Sequence, residues 1–142
     1  MLAPMPVFAS DQDVYALIGR VLREMCDDEQ LSLDCQRADT IVQYRYDHPE
    51  ATITVDLRAD GRPQVFLGEC ELVPEVVMSM AADTAHCFFL GQVNLTVALA
   101  RGQVHANGPA WKILKLVPLV KPFFPRYRAL LEGVGRGDLV GV

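Results

Sequence analysis

Apolar residues recur at helical spacing near the start of the chain, at Val14, Leu17, Ile18, Val21, Leu22 and Met25. Steps of three and four residues place these side chains on one face and predict an amphipathic helix. Ser10 precedes the helix as a candidate N-cap, with Asp13 three positions later. The acidic run at residues 27–29 opposes the dipole at a helix C-terminus, so it predicts the end of this helix. The pattern at residues 31–38 does not distinguish a helix from a strand.

From residue 39 the period of the pattern changes to two. Apolar and polar residues alternate over 41–46 and again over 51–57, with the turn sequence Asp47-His48-Pro49-Glu50 between them. This alternation predicts a hairpin with one buried face. The Asp60-Gly61 pair predicts a tight turn before a third strand at 64–67, and a fourth strand is predicted at 74–80. We therefore expect a meander of three or four antiparallel strands.

Short elements bounded by glycine and proline follow these strands. The pattern predicts helices at 81–90, 95–101 and 109–118, a fifth strand at 103–107, and a last helical turn or two at 126–131. Gly91 and Gly102 stand just after two of these helices, where glycine is favoured. Pro109 suits a first helical turn, and Pro118 is expected to end that helix.

Charge is distributed unevenly along the 142 residues, whose net charge is −5. Residues 84–131 contain no acidic residue and six basic ones, whereas residues 1–83 contain 16 acidic and six basic residues. A basic apolar segment fits anionic lipid or an acidic ligand headgroup. The acidic total and the lack of a recognised motif argue against nucleic acid. We expect transient contact with an anionic membrane through Lys112, Lys115, Lys121, Arg126 and Arg128. The alternative is that these bases only solvate a helix face.

Motifs for catalysis and metal binding are absent from the sequence. There is no phosphate-binding glycine loop, no G-x-S-x-G elbow and no H-E-x-x-H helix. The four cysteines form no C-x-x-C pair and are expected to be reduced, small apolar residues. A thiol enzyme would depend on Cys87 meeting a distant histidine such as His105. We therefore expect no catalytic residue, no metal and no cofactor.

The first residues lack the basic start of a secretory signal, and no run of apolar residues is long enough to span a bilayer. A cytoplasmic location is the expectation. Apolar residues are densest between residues 85 and 128, beyond what short helices need to cover a sheet. This excess has three interpretations, which are a deep core, the lining of a cavity, and a contact with a partner or membrane.

The stretch at residues 88–109 resembles the sterol carrier protein 2 family. That family has a helix ending in glycine, a short helix carrying an alanine, a glycine, a short strand and another glycine. The matching positions here are Gly91, Ala98, Gly102, Val104 and Gly108. The strand pair that ends at Asp56-Leu57 also matches, and residues 111–128 are similar to the tail of bacterial single-domain members. The resemblance spans roughly residues 14–128.

The resemblance implies an α+β fold, in which helices cover a five-stranded, mainly antiparallel sheet and an apolar tunnel lies between them. It implies a lipid-binding domain at residues 10–132, with an N-terminal extension at 1–9 and a loose glycine-rich tail at 133–142. The implied function is non-catalytic binding and intracellular transfer of a sterol, fatty acid, fatty acyl-CoA or phospholipid. The alternative is a homodimeric protein-interaction module, which acts as an accessory to a lipid-metabolic enzyme.

Within such a fold we expect the ligand cavity to be walled by the two short helices, the segment after Gly108 and part of the sheet. Methionine adapts to irregular ligands, and the other residues are dense within the glycine-bounded helices. The predicted ligand-binding residues are Met78, Met80, Phe88, Phe89, Leu95, Leu99, Trp111 and Leu114.

Overall fold

A five-stranded mixed sheet lies at the centre of the computed structural model, which describes residues 6–140. The strands are β1 (Ile41–Asp47), β2 (Ala51–Asp56), β3 (Gln64–Leu67), β4 (Val76–Ala81) and β5 (Val104–Asn107). Their order across the sheet is β3-β2-β1-β4-β5. Three neighbouring pairs are antiparallel, whereas β1 and β4 are parallel.

The prediction of a meander is wrong at its fourth strand. β4 does not pair with β3 but lies beside β1, with Val42 opposite Val76 and Tyr46 opposite Met80. A parallel pair needs a long crossover, and here β2, β3 and the loop after them supply it. The alternation of apolar and polar residues gives each strand its buried face but carries no information about its neighbour.

Helices precede, interrupt and follow the sheet. The N-terminal ones are α1 (Asp11–Val14), a π-helical segment (Tyr15–Gly19), α2 (Arg20–Asp27) and α3 (Glu29–Gln36). Between β4 and β5 lie α4 (Ala82–Phe89) and α5 (Leu95–Ala100). After β5 come α6 (Trp111–Leu114), α7 (Val117–Val120), a 3-10 turn (Lys121–Phe123), α8 (Phe124–Gly133) and a second 3-10 turn (Gly137–Leu139).

Side-chain caps mark the start of helices α1 and α3. The hydroxyl of Ser10 accepts a hydrogen bond from the Asp13 N–H, as predicted. The carboxylate of Asp28 accepts from the Leu31 N–H at 2.9 Å. The acidic run therefore ends α2 and also starts α3, because an N-cap carboxylate satisfies a free N–H of the next helix. Residues 31–36 therefore belong to helix α3, and residues 37 and 38 form the turn that follows it.

Two prolines begin helices where the sequence predicts a break. Pro118 lies in the first turn of α7 and Pro125 in the first turn of α8. A first-turn residue needs no N–H for the helix ladder, so proline is tolerated there. The predicted helix at 109–118 is consequently two four-residue helices, and the last helix is ten residues long.

The two faces of the sheet differ in polarity. Alternate residues such as Val42, Ile53 and Met78 pack under the helices and are almost fully buried. The opposite face is polar, and there the Gln43 amide donates to the Thr54 hydroxyl at 3.2 Å. The hydrophobic core therefore lies in one layer, between the sheet and the helices.

Both ends of the described chain pack into this core. Leu139 is 5% exposed, and its carbonyl oxygen accepts a hydrogen bond from His86 Nε2 at 2.9 Å. Phe8 is 1% exposed, and its ring meets that of His86 edge to face. Leu139 thus anchors the predicted tail to the core, although residues 133–135 are exposed, and Phe8 does the same for the described part of the predicted extension. Residues 1–5 and 141–142 lie outside the described residues.

Candidate functional site

An apolar cavity of about 100 Å³ lies between the sheet and the helices. The sheet supplies its floor, and α2, α3, α4, the start of α5 and the α6–α7 segment supply the other walls. It is lined by Leu22, Met25, Cys26, Leu31, Ser32, Cys35, Val42, Tyr44, Tyr46, Val55, Leu57, Pro63, Met78, Met80, Thr84, Ala85, Phe88, Phe89, Val93, Leu95, Val104, Ile113, Leu116, Val117 and Val120. None of these residues is an acid, a lysine, an arginine or a histidine.

Five of the eight predicted ligand-binding residues line this cavity, namely Met78, Met80, Phe88, Phe89 and Leu95. The two methionines lie on neighbouring inward positions of β4, and the phenylalanines lie at the end of α4. Phe88 and Phe89 each pack edge to face with Phe124 of α8. Helix α8 therefore packs against the aromatic part of the cavity wall.

The other three predicted residues lie outside the lining. Trp111 is 56% exposed, because it stands two positions before the inward Ile113 and so about 200° around the helix from it. Leu99 and Leu114 are half-buried and pack against the core elsewhere. The phase of a four-residue helix cannot be read from periodicity, so the sequence did not show which residues of α6 point toward the cavity.

Sequence reasoning missed the contribution of the first half of the chain. Tyr44 and Tyr46 project from β1 into the cavity, and Leu22, Met25 and Cys26 reach it from α2. The signal was present, since the same alternation that predicts the buried face of β1 includes both tyrosines. The prediction of the cavity lining had instead concentrated on residues 85–128, because apolar residues are densest there.

The polar groups of the wall are held uncharged. Burial raises the pKa of both tyrosine hydroxyls, and the stacked rings of Tyr44 and Tyr46 lie 6.3 Å apart. Burial likewise raises the pKa of the Cys26 thiol to about 12 and that of the Cys35 thiol to about 11. At neutral pH the cavity therefore presents an apolar surface with a few neutral hydroxyl and thiol groups.

Four of the five bases that are predicted to meet a membrane have partners within the chain, and one of them, Lys115, lies over the Trp111 ring. Lys112 pairs with Glu75 at 2.8 Å, and this bond lowers the pKa of the Glu75 carboxyl. Arg126 stacks on the Phe123 ring at 4.5 Å, and Arg128 donates to the Leu90 carbonyl at 3.0 Å. Lys115 and Lys121 are exposed, and among the described residues neither pairs with a carboxylate.

His86 and Cys87 do not form a nucleophilic pair. Both ring nitrogens of His86 are occupied, because Nε2 donates to the Leu139 carbonyl and Nδ1 accepts from the Tyr127 hydroxyl at 2.6 Å. Burial raises the pKa of the Cys87 thiol, which opposes thiolate formation. Within residues 6–140 no three histidine, cysteine or acidic side chains gather as metal ligands would. Among the described helices, none combines the length and the apolar character needed to cross a membrane.

No protein-family model and no curated protein sequence matches the chain. Solved structures do match it in fold. Sterol carrier protein 2 from Yarrowia lipolytica superposes with a TM-score of 0.59 at 13% identity, over 78% of this chain and 88% of that one. The sterol carrier protein domain 2 of Helicoverpa armigera gives a TM-score of 0.63 at 16% identity, over 77% and 88%.

A third structure, the palmitated SCP2L2 of Aedes aegypti, matches with a TM-score of 0.56 at 16% identity, over 75% of this chain and 93% of that one. The chain therefore has the fold of a sterol carrier protein 2 domain, and the resemblance predicted from residues 88–109 is confirmed at the level of the fold. The sheet is mixed, since β1 and β4 are parallel.

Proposed function

We propose that the protein binds a hydrophobic ligand in this cavity without catalysing a reaction, and transfers it within the cell. The observation that carries the proposal is the apolar, uncharged cavity between sheet and helices. It lies in a fold shared with structures described as sterol carrier proteins, one of them palmitated. Each 100 Å² of apolar ligand surface removed from water contributes about 2.5 kcal/mol to binding.

The cavity must widen to admit a long ligand. Its volume of about 100 Å³ is below the roughly 150 Å³ of an engineered apolar cavity that holds benzene. The wall contains three methionines, Met25, Met78 and Met80, whose unbranched side chains adjust readily. We propose that α6 and α7 move outward as the ligand enters, because helices of four residues have little stability of their own. The cavity is then the closed form of the predicted tunnel.

A substitution that fills the cavity tests the proposal. Ala85 is 3% exposed and lines the wall, so Ala85→Phe occupies the space meant for ligand. Ala100→Phe places the same side chain on an exposed helical position as a control. We expect Ala85→Phe to abolish lipid that co-purifies with the wild type in native mass spectrometry, and Ala100→Phe to retain it.

The outcomes of that experiment separate the two functions named from the sequence. Wild-type protein that carries no lipid and forms a stable dimer would favour the interaction module. Equal lipid content in the wild type and Ala85→Phe would place the lipid outside the cavity and refute the proposal. Where Ala85→Phe does not fold, Val93→Phe repeats the test from a half-buried wall position.

We further propose that the protein meets an anionic membrane through a docking patch composed of Trp111, Lys115 and Lys121. Lys115 lies 5.0 Å from the centre of the exposed Trp111 ring. An amphipathic ring beside lysines that form no ion pair among the described residues suits the headgroup layer of a bilayer. The patch lies on the outer side of the segment whose inner side, through residues such as Ile113, lines the cavity. Docking there would bring lipid close to the proposed opening.

A further inference from the structure

We propose that the cavity selects an uncharged ligand whose hydroxyl or carbonyl group hydrogen-bonds with Tyr44 and Tyr46. This inference rests on the proposed function and names the class of ligand. It favours an alcohol or ketone over a free fatty acid or any ligand whose charged end must enter the cavity.

The sheet places both tyrosines in the floor of the cavity. Tyr44 and Tyr46 are two residues apart on β1, so their side chains leave the same face of the sheet. On β4 they are opposite Met78 and Met80, which also line the cavity. The two rings are nearly parallel, with 4° between their planes.

Neither tyrosine hydroxyl is fully enclosed by the residues around it. Among the described residues, every fully enclosed side-chain nitrogen or oxygen has a hydrogen-bond partner, whereas neither of these hydroxyls makes such a bond. Each hydroxyl must therefore border space that a small molecule can reach, and the cavity is the space that both rings line.

Two other tyrosines show the contrasting case. The Tyr127 hydroxyl donates to His86 at 2.6 Å, and the Tyr15 hydroxyl accepts from the Thr52 N–H at 3.3 Å. Both of these hydroxyls bind within the chain, and neither residue lines the cavity. Tyr46, by contrast, is only 6% exposed, and its hydroxyl makes no hydrogen bond among residues 6–140.

The charge of the wall excludes an ionised group. In the described part of the chain no lysine, arginine or histidine lines the cavity, so a buried carboxylate would lose its hydration without gaining a counter-ion. A hydroxyl or carbonyl loses less on leaving water, and it regains a hydrogen bond from a phenol. A phenol both donates and accepts, so it pairs with either group. Burial raises the pKa of both phenols, which keeps them protonated for this purpose.

Three ligands of equal chain length test the inference. Decanol, decane and decanoate are titrated at neutral pH by displacement of a bound fluorescent lipid. We expect decanol to bind more tightly than decane, by about three- to tenfold for each hydrogen bond formed. Decanoate should bind at least about tenfold more weakly than decanol, and should recover as the pH falls toward its carboxyl pKa.

Variants assign the preference to the two tyrosines. Tyr44→Phe/Tyr46→Phe should bind decane like the wild type and lose the preference for decanol. Tyr15→Phe removes a hydroxyl outside the cavity and should keep the preference. If the double variant does not fold, the single variants give the same ratio of decanol to decane affinity.

Decanoate binding as tightly as decanol to the wild type would overturn the inference and leave the proposed function standing. An unchanged ratio of decanol to decane affinity in the variants would also overturn it. Failure of all three ligands to displace the lipid, together with no co-purifying lipid, would overturn the proposed function as well.

Discussion

The two halves of the chain build the cavity in different ways. The first half supplies the central strands β1 and β2, the helices α2 and α3, and most of the polar groups, with Tyr44 and Tyr46 foremost. The second half supplies β4 and β5 and short apolar helices, among which α6 and α7 have four residues each. The proposed recognition of a polar group and the proposed admission of the ligand therefore lie in separate parts of the molecule.

Truncation of one side chain on each wall should give the largest difference between the two halves of the chain. Met78 is fully buried in β4, whereas Val117 is half-buried in α7. We expect Met78→Ala to lower the free energy of unfolding by about 2–4 kcal/mol, since a rigid floor cannot collapse onto the cavity. Val117→Ala should cost about 1 kcal/mol or less and speed the release of ligand. Urea unfolding and stopped-flow ligand release measure the two effects, and equal losses of stability would contradict the distinction.

The acid stability of the protein should depend on His86, which ties the end of the chain to the second-half wall. Burial lowers the pKa of His86 below its ordinary 6.5, although the Leu139 carbonyl and Asp83 oppose this. The unfolded chain then binds a proton that the folded chain resists. The contribution of neutral His86 to the free energy of unfolding is complete above pH 6.5 and is lost as the pH falls below that value.

Urea unfolding of the wild type at a series of pH values checks this prediction, with His86→Gln as the variant. We expect the wild type to lose stability on acidification through this range and His86→Gln to lose less. The exposed His48 acts in the opposite direction, because its hydrogen bond to Asp47 raises its pKa. His48→Asn therefore controls for that residue, and a fall of equal size in the wild type and His86→Gln would contradict the role of His86.

The sequence predicted the elements better than their arrangement. The alternation at residues 51–57 and the run at 64–67 located β2 and β3, because side-chain period is a local property. The pairing of β1 with β4 joins Val42 to Val76, and no local pattern encodes a contact at that separation. The resemblance at residues 88–109 supplied the fold that periodicity alone left open.

The sequence likewise predicted only that part of the candidate site which local periodicity determines. Met78 and Met80 were found because strand alternation fixes the face of each residue. Trp111 was misplaced because four helical residues do not define a face. Tyr44 and Tyr46 follow the predicted alternation of β1, but their role as polar groups of a cavity depends on neighbours from other elements, which the alternation does not show.

Charge reversal on the docking patch should sharpen the contrast between the inner and outer sides of α6–α7. Each lysine contributes about 1 kcal/mol near an anionic surface, so Lys115→Glu/Lys121→Glu should weaken binding to phosphatidylserine vesicles at least tenfold. Arg101→Glu/Arg126→Glu serves as the control, because it changes the net charge by the same amount and both exposed residues lie outside the patch. Co-sedimentation at rising salt measures both, and equal losses for the patch and the control would show that only net charge matters.

The smallest expected effect concerns the emission of Trp111 when ligand fills the cavity. The side chain is 56% exposed and points away from the lining, so its surroundings change little unless the α6–α7 segment moves. Phe88 lines the cavity, and Phe88→Trp in a Trp111→Phe background puts the reporter against the ligand. Decanol should shift the indole emission of that double variant clearly and that of the wild type only slightly. A large shift in the wild type and none in the variant would place the ligand on the outer side of α6 and contradict the division between the two walls.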